Sequence, residues 1–138
     1  MADQTELLKN GPRKKILVID DNRDAANTLA MLIKLKGNEV KAGYGGQEAM
    51  VLGETFKPDI AILDIGMPGM DGYETCSLIR QEPWGRNITI LALTGYGQQE
   101  DIRKSLEAGF DEHLLKPVDL AALLALIEKT NQNNLTSD

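Results

Sequence analysis

The sequence has a single cysteine, Cys76, so no disulfide can close within the chain, and a reducing compartment suits it. It has no excess of basic residues: Asp and Glu number 21 against 15 Lys and Arg, a formal net charge of −6. Nonspecific nucleic-acid binders draw their affinity from clustered lysine and arginine, so direct nucleic-acid binding is not expected. No apolar run approaches the ~20 residues that a membrane-spanning helix requires. The opening M-A-D-Q-T-E-L-L-K-N is too polar for a secretory signal. These absences point to a cytoplasmic protein without membrane contact. No internal repeat is present at the level of motifs.

What is there fits one globular domain. The chain has 138 residues, 42% hydrophobic and 26% charged, enough to bury a real core. Residues 1–13 are polar, end in Gly11-Pro12-Arg13, and read as a flexible lead; residues 131–138, N-Q-N-N-L-T-S-D, read as a flexible tail. The domain is expected over residues 14–130.

Within it two hydrophobic periods alternate. Short apolar runs occupy Lys15–Asp20, Ile60–Asp64 and Ile88–Thr94, with weaker ones at Glu39–Ala42 and His113–Leu115. Unbroken Ile, Leu and Val imply strands covered on both faces, hence a parallel sheet. Helical stripes fall between them: Leu29, Leu32, Ile33 and Lys36; Ala49, Leu52, Gly53 and Phe56; Leu120, Leu123, Leu124 and Ile127. Gly37, Pro58 and Gly109 supply helix stops. Five β-α units make a doubly wound α/β domain with right-handed crossovers.

The polar residues gather where strands end. Asp20 and Asp21 close the first, Asp64 the third and Thr94 the fourth, and Lys116 follows the fifth. In open parallel sheets the ligand crevice lies outside the carboxyl ends of the strands. Each residue alone has a bland reading: Asp20-Asp21-Asn22 and Thr94 as helix caps, Lys116 as a solvated loop lysine. Their coincidence at successive strand ends is what argues for a site. Two adjacent carboxylates about 4 Å apart repel by roughly 4 kcal/mol at an effective dielectric near 20. Three carboxylates in an oxygen-rich pocket suit Mg²⁺, which takes oxygen ligands and shares its sphere with phosphate. Lys116 and the Thr94 hydroxyl suit phosphoryl oxygens, and a carboxylate can itself accept the group.

These segments resemble the response-regulator receiver domain of two-component signalling. I-L-V-I-D-D-N at 16–22, I-L-D-I-G-M-P-G-M-D-G at 62–72, L-A-L-T-G-Y-G at 91–97 and L-L-K-P-V at 114–118 carry the resemblance, over roughly residues 14 to 130. It implies the flavodoxin-like, CheY-like sheet of order 2-1-3-4-5 with helices on both faces. It implies Asp64 as phosphoacceptor. Asp21, Asp64 and the Gly66 carbonyl would ligate Mg²⁺ (or Mn²⁺) directly, and Asp20 would act through metal-bound water. Thr94 and Lys116 would contact the phosphoryl group, and the Lys116–Pro117 bond would be cis. The donor would be a phosphohistidine on a histidine kinase or histidine phosphotransfer domain. A downstream protein would read the result, with the receiver a monomer or a phosphorylation-dependent dimer. Catalysis would be limited to self-catalysed phosphotransfer and dephosphorylation.

Two departures from the family pattern stand out. His113, the only histidine, holds the place usually given to Tyr or Phe, so Thr94 and His113 become the switch candidates beside the reading of a half-exposed surface histidine. Gly66 and Gly95 leave the phosphoryl rim open, with Tyr96 a possible shield. Met67 and Met70 read as local packing, and Gly69, Asp71 and Gly72 as a sharp turn into the third helix.

After Ile127 about ten residues remain, too few for a DNA-binding helix-turn-helix, so output is expected through protein contact. The E-P-W-G-R stretch at 82–86 resembles receivers attached to hybrid histidine kinases, which keeps a receiver segment of such a kinase as an alternative. A receiver-like module that is never phosphorylated is another. A haloacid-dehalogenase-type phosphatase is more remote, since its nucleophile lies on strand one in a D-x-D pattern. A flavin carrier would need a phosphate cradle where Asp20 and Asp21 stand.

Overall fold

The computed structural model describes residues 14–95 and 102–136. Strands β1 (Lys15–Ile19), β2 (Glu39–Gly43), β3 (Ile60–Asp64), β4 (Thr89–Thr94) and β5 (Glu112–Leu115) alternate with helices. These are α1 (Arg23–Lys34), α2 (Gly46–Phe56), α3 (Gly72–Gln81), α4 (Ile102–Ala108) and α5 (Leu120–Thr136). The sheet is parallel throughout, in the order β2-β1-β3-β4-β5. This is the doubly wound order expected from the sequence, and β1 and β3 flank its switch point.

The continuous apolar runs become the covered strands. Along β1, Leu17 and Ile19 face one layer while Ile16 and Val18 face the other. The first layer joins Ala49 of α2, Cys76 and Ile79 of α3, and Phe110. The second joins Ala26 and Ile33 of α1 with Leu123 and Ile127 of α5. β2 lies at the edge, and its Glu39 and Lys41 are exposed, which explains its weaker signal.

Local chemistry sets the helix ends. Asn22 caps α1, its Oδ1 accepting from Ala25 N at 3.1 Å, and Asp71 caps α3, its Oδ1 accepting from Glu74 N at 2.9 Å. Such caps contribute about 1 kcal/mol each. The expected stripe through Lys36 overshoots: α1 stops at Lys34, and Lys36 lies exposed in the turn before Gly37, whose φ is 98°. α2 ends on Lys57 at φ 52°, a left-handed position taken by a non-glycine residue just before Pro58. α5 continues to Thr136, into the segment expected to be a flexible tail.

Two features hold the amino-terminal edge of the sheet. The short 3₁₀ turn Pro83–Gly85 follows α3 and lays the Trp84 ring on Gly53 of α2, so closely that a Cβ there would overlap the indole. Arg80, near the end of α3, donates to the carbonyls of Gly109, Ile88 and Gly85 at 2.7, 2.6 and 3.1 Å and to Asp111 at 2.9 Å. One guanidinium thus ties α3 to the turns that begin β4 and β5.

Candidate functional site

The site is built at the carboxyl edge of the sheet. Asp20 leaves β1 with its N–H still bonded to Gly43 O at 3.1 Å. Asp64 is the last residue of β3, and Ile65 N extends the ladder to Leu93 O at 3.1 Å. Thr94 ends β4, and its carbonyl accepts from Lys116 N at 2.7 Å. The strand pairing therefore fixes the backbones of Asp20, Asp64, Thr94 and Lys116 relative to one another. The Lys116–Pro117 bond is cis.

Carboxylate oxygens of Asp20, Asp21 and Asp64 all lie within 4.8 Å of one another. Asp20 and Asp64 are buried, 3% and 5% exposed, while Asp21 faces solvent. Lys116 Nζ sits between the buried pair, 2.9 Å from Asp64 Oδ1 and 3.4 Å from Asp20 Oδ2. In this state the lysine relieves the repulsion that the adjacent carboxylates impose. Asn22 N donates to Asp20 Oδ1 at 3.0 Å, and Gly66 N to Asp64 Oδ1 at 3.3 Å.

The protonation energetics follow. Burial pushes the Asp20 carboxyl above the usual range; the Asn22 N–H opposes this, the Asp64 charge adds to it, and Lys116 opposes it. Burial would lower the Lys116 ammonium, but its hydrogen bond and charge contact with Asp64, and then Asp20, outweigh that and raise it. Three carboxylates against one ammonium leave the pocket net negative.

The donor set fits a small divalent cation. All its side-chain ligands are oxygens, the preference of Mg²⁺. One oxygen from each of the three carboxylates lies within 4.8 Å of the others, so Asp20, Asp21 and Asp64 could supply oxygens to such an ion directly or through water.

The remaining predicted residues fall as follows. Thr94 is buried, 4% exposed, with its hydroxyl at 3.5 Å from Leu114 O. Gly66 is exposed at the rim, and Met67 is buried. Tyr96 lies outside the described residues. His113 pairs in register with Ala92 and turns inward: its ring lies 6.4 Å from Phe110, and its Nε2 is buried with no hydrogen-bond partner. Its burial is intermediate, in keeping with a half-exposed residue whose ring nonetheless turns inward.

Sequence reasoning placed Gly72 in a sharp turn into the third helix and missed its close packing behind Asp64. A Cβ on Gly72 would lie 2.6 Å from Ile65 Cα and 2.7 Å from the Asp64 carbonyl oxygen. The signal was the Asp-Gly pair entering α3, which reads equally as an ordinary turn.

The response regulator receiver domain family matches residues 16–128. The chain belongs to this family. Among similar proteins, an uncharacterized 14.6 kDa protein of Leptolyngbya boryana is 35% identical over 114 residues, 83% of this receiver and 87% of that protein. The response regulator PleD of Caulobacter vibrioides is 31% identical over 90% of this receiver but only 27% of PleD. The receiver spans 47% of the transcriptional regulator RpaA of Synechocystis, so it matches less than half of some relatives. A putative response regulator of Chloroflexus aurantiacus has the same fold at a TM-score of 0.79 and 30% identity, covering 86% of this receiver and 98% of that chain. The receiver domain of a signal transduction histidine kinase from Syntrophus aciditrophicus superposes at 0.78 with 28% identity, covering 87% and 91%. Receivers are signalling modules that interact with histidine kinases and downstream targets. No helix among the described residues is long and apolar enough to cross a membrane.

Proposed function

We propose that this receiver accepts a phosphoryl group on Asp64 from a partner phosphohistidine, on a histidine kinase or a histidine phosphotransfer domain, and signals through protein contact in the cytoplasm. The observation that carries the reading is the convergence of Lys116 Nζ, 2.9 Å from Asp64, with three carboxylates within 4.8 Å at one sheet edge. An Asp64 carboxylate oxygen attacks phosphorus, the phosphorus–nitrogen bond breaks, and the imidazole leaves with its electron pair and takes up a proton. Asp21, Asp64 and the Gly66 carbonyl would hold Mg²⁺ (or Mn²⁺), with Asp20 acting through bound water. The cation supplies charge neutralisation for the transferring group.

The chain's own residues do the positioning. Lys116 moves from the carboxylates to a phosphoryl oxygen, which its single flexible stem permits. Thr94 gives up its weak contact with Leu114 O and donates to another oxygen. His113, on the same face of the sheet, has a buried nitrogen with nothing to lose by rotating, which favours a switch coupled to Thr94. The resulting population shift would remodel the surface around α4, β5 and α5.

The test is intact mass after incubation with acetyl phosphate and Mg²⁺. A gain of one phosphoryl group, absent in Asp64→Asn and in metal-free protein, is expected. No gain with acetyl phosphate and no Mg²⁺-dependent spectral change with beryllofluoride would leave an interaction module that is not phosphorylated.

A further inference from the structure

We infer that Gly72 is a positioning residue for the cation site, setting the path of the 64–66 backbone by having no side chain. α3 begins pressed directly against the peptide that follows the acceptor. Gly72 N donates to Ile65 O at 3.0 Å, and the space where a Cβ would stand is filled by Ile65 Cα at 2.6 Å, Asp64 O at 2.7 Å and Asp64 C at 3.2 Å. All three are backbone atoms, so none can swing aside. Gly72 adopts no left-handed conformation, since the positive-φ glycines are Gly37, Gly69 and Gly109. Alanine would therefore suit the helix itself, and its whole cost falls on the approach to Asp64 and Ile65.

A second glycine, on α2, packs against the same loop. A Cβ on Gly46, at the start of α2, would meet Thr75 Oγ1 at 2.5 Å and Met70 Sδ at 2.6 Å. Met70 lies in the loop between Asp64 and Gly72, and Thr75 lies in the first turn of α3, its hydroxyl donating to Asp71 O at 2.8 Å. The loop that carries Gly66 is thus packed against two glycines on neighbouring helices. Alanine at 72 forces the 64–66 peptides toward the pocket; alanine at 46 shifts the same loop through side chains that can yield.

The inference rests on the proposed cation-dependent phosphorylation, and its test reads cation binding itself. Mg²⁺ affinity is measured by calorimetry on the folded protein, alongside the urea midpoint, for Gly72→Ala, Gly46→Ala and Gly85→Ala. Gly85 is the matched control: its Cβ would overlap the Ile79 carbonyl as severely. Yet it lies beyond the far end of the ten-residue α3, about 15 Å away at a rise of about 1.5 Å per residue. Gly72→Ala should weaken Mg²⁺ binding about ten-fold or more, the usual effect of disturbing the support behind a metal site. Gly85→Ala should lower the urea midpoint and leave Mg²⁺ affinity at the wild-type value. Gly46→Ala should weaken binding by less, with partial recovery when Met70→Ala is added. If Gly72→Ala does not fold, Gly46→Ala and its rescue decide the matter. Wild-type affinity in the folded glycine variants at the site, or an equal loss in Gly85→Ala, overturns the positioning role. A wild-type protein that binds no Mg²⁺ overturns this role and the proposed function together.

Discussion

Arg80→Met isolates the polar tie at the amino-terminal edge of the sheet. Methionine keeps most of the stem and removes the guanidinium. Four carbonyl groups then lose a charged donor: Gly109 at 2.7 Å, Ile88 at 2.6 Å and Gly85 at 3.1 Å in part-buried contacts, and Arg86 at 3.3 Å in an exposed one. Hydrogen bonds to charged groups contribute about 1.5–3 kcal/mol each, so the three part-buried ones suggest about 4–9 kcal/mol before coupling. Two facts reduce this. The bonds share one side chain and are not additive. A cavity of about 430 Å³ lined by Arg80, Arg86, Asn87 and Asp111 lets water reach some of the freed carbonyls. The ion pair with Asp111 adds little, since that carboxylate is 49% exposed. The expected loss is about 3–4 kcal/mol, or a drop of about 10 °C in Tm for a domain of this size. Urea unfolding followed by Trp84 fluorescence reads it, because Trp84 adjoins Gly85. Arg80→Lys should recover less than half, since one ammonium cannot match the planar fork that bonds several carbonyls in two turns at once. Mg²⁺ affinity should not move. A loss below about 1 kcal/mol would refute the view that this residue organises the edge.

Three further outcomes are expected. Asp20→Asn should raise the Tm of the metal-free protein at pH 7. The Asp20 carboxyl is pushed up by burial, so the fold binds its proton more tightly than the unfolded chain does, and ionisation weighs against the fold as pH rises above the ordinary aspartate range. The gain should shrink toward acid pH and vanish in saturating Mg²⁺, where wild type alone benefits fully; a variant less stable than wild type without Mg²⁺ would contradict the argument. Cys76 is fully buried and its thiol is pushed up to about 12, so thiol reagents at pH 8 should modify it only at the unfolding rate; rapid labelling of native protein would show otherwise. Gly53→Ala should cost about 1–3 kcal/mol and shift Trp84 emission to the red, because the added methyl displaces the indole. An unchanged spectrum would mean the ring does not sit there in solution.

The carboxyl edge was legible in the sequence because its logic is one-dimensional. Buried parallel strands read as unbroken apolar runs, and each candidate site residue stands where such a run stops. Asp20, Asp64, Thr94 and Lys116 thus announce themselves, and the strand order brings them together. The opposite edge was not legible. Arg80 finds its carbonyl partners in turns near residues 85, 88 and 109, and backbone acceptors carry no residue-type signal. Trp84 and Gly53 face each other across 31 positions, and neither declares its partner. The inward turn of His113 depends on register with Ala92 on a short edge strand whose pattern is too weak to assign a face. The Lys36 stripe failed for a related reason: helical periodicity says which face is apolar, and not where the Gly37 turn begins to unwind it.

Lys116, lodged between Asp20 and Asp64, has a consequence for how the protein tolerates its surroundings. A pocket of buried carboxylates with no cation of its own would make the fold hostage to the metal supply. Here the counterion is covalently tethered, always at hand and withdrawn by rotation about a few bonds. On the proposed function, this tether would let the fold form without waiting for Mg²⁺. An entering ion would compete with the ammonium for Asp20 and Asp64 rather than fill a void. The released ammonium would be the same group that, on the proposed function, meets an incoming phosphoryl oxygen, so loading the cation would arm the anion site beside it.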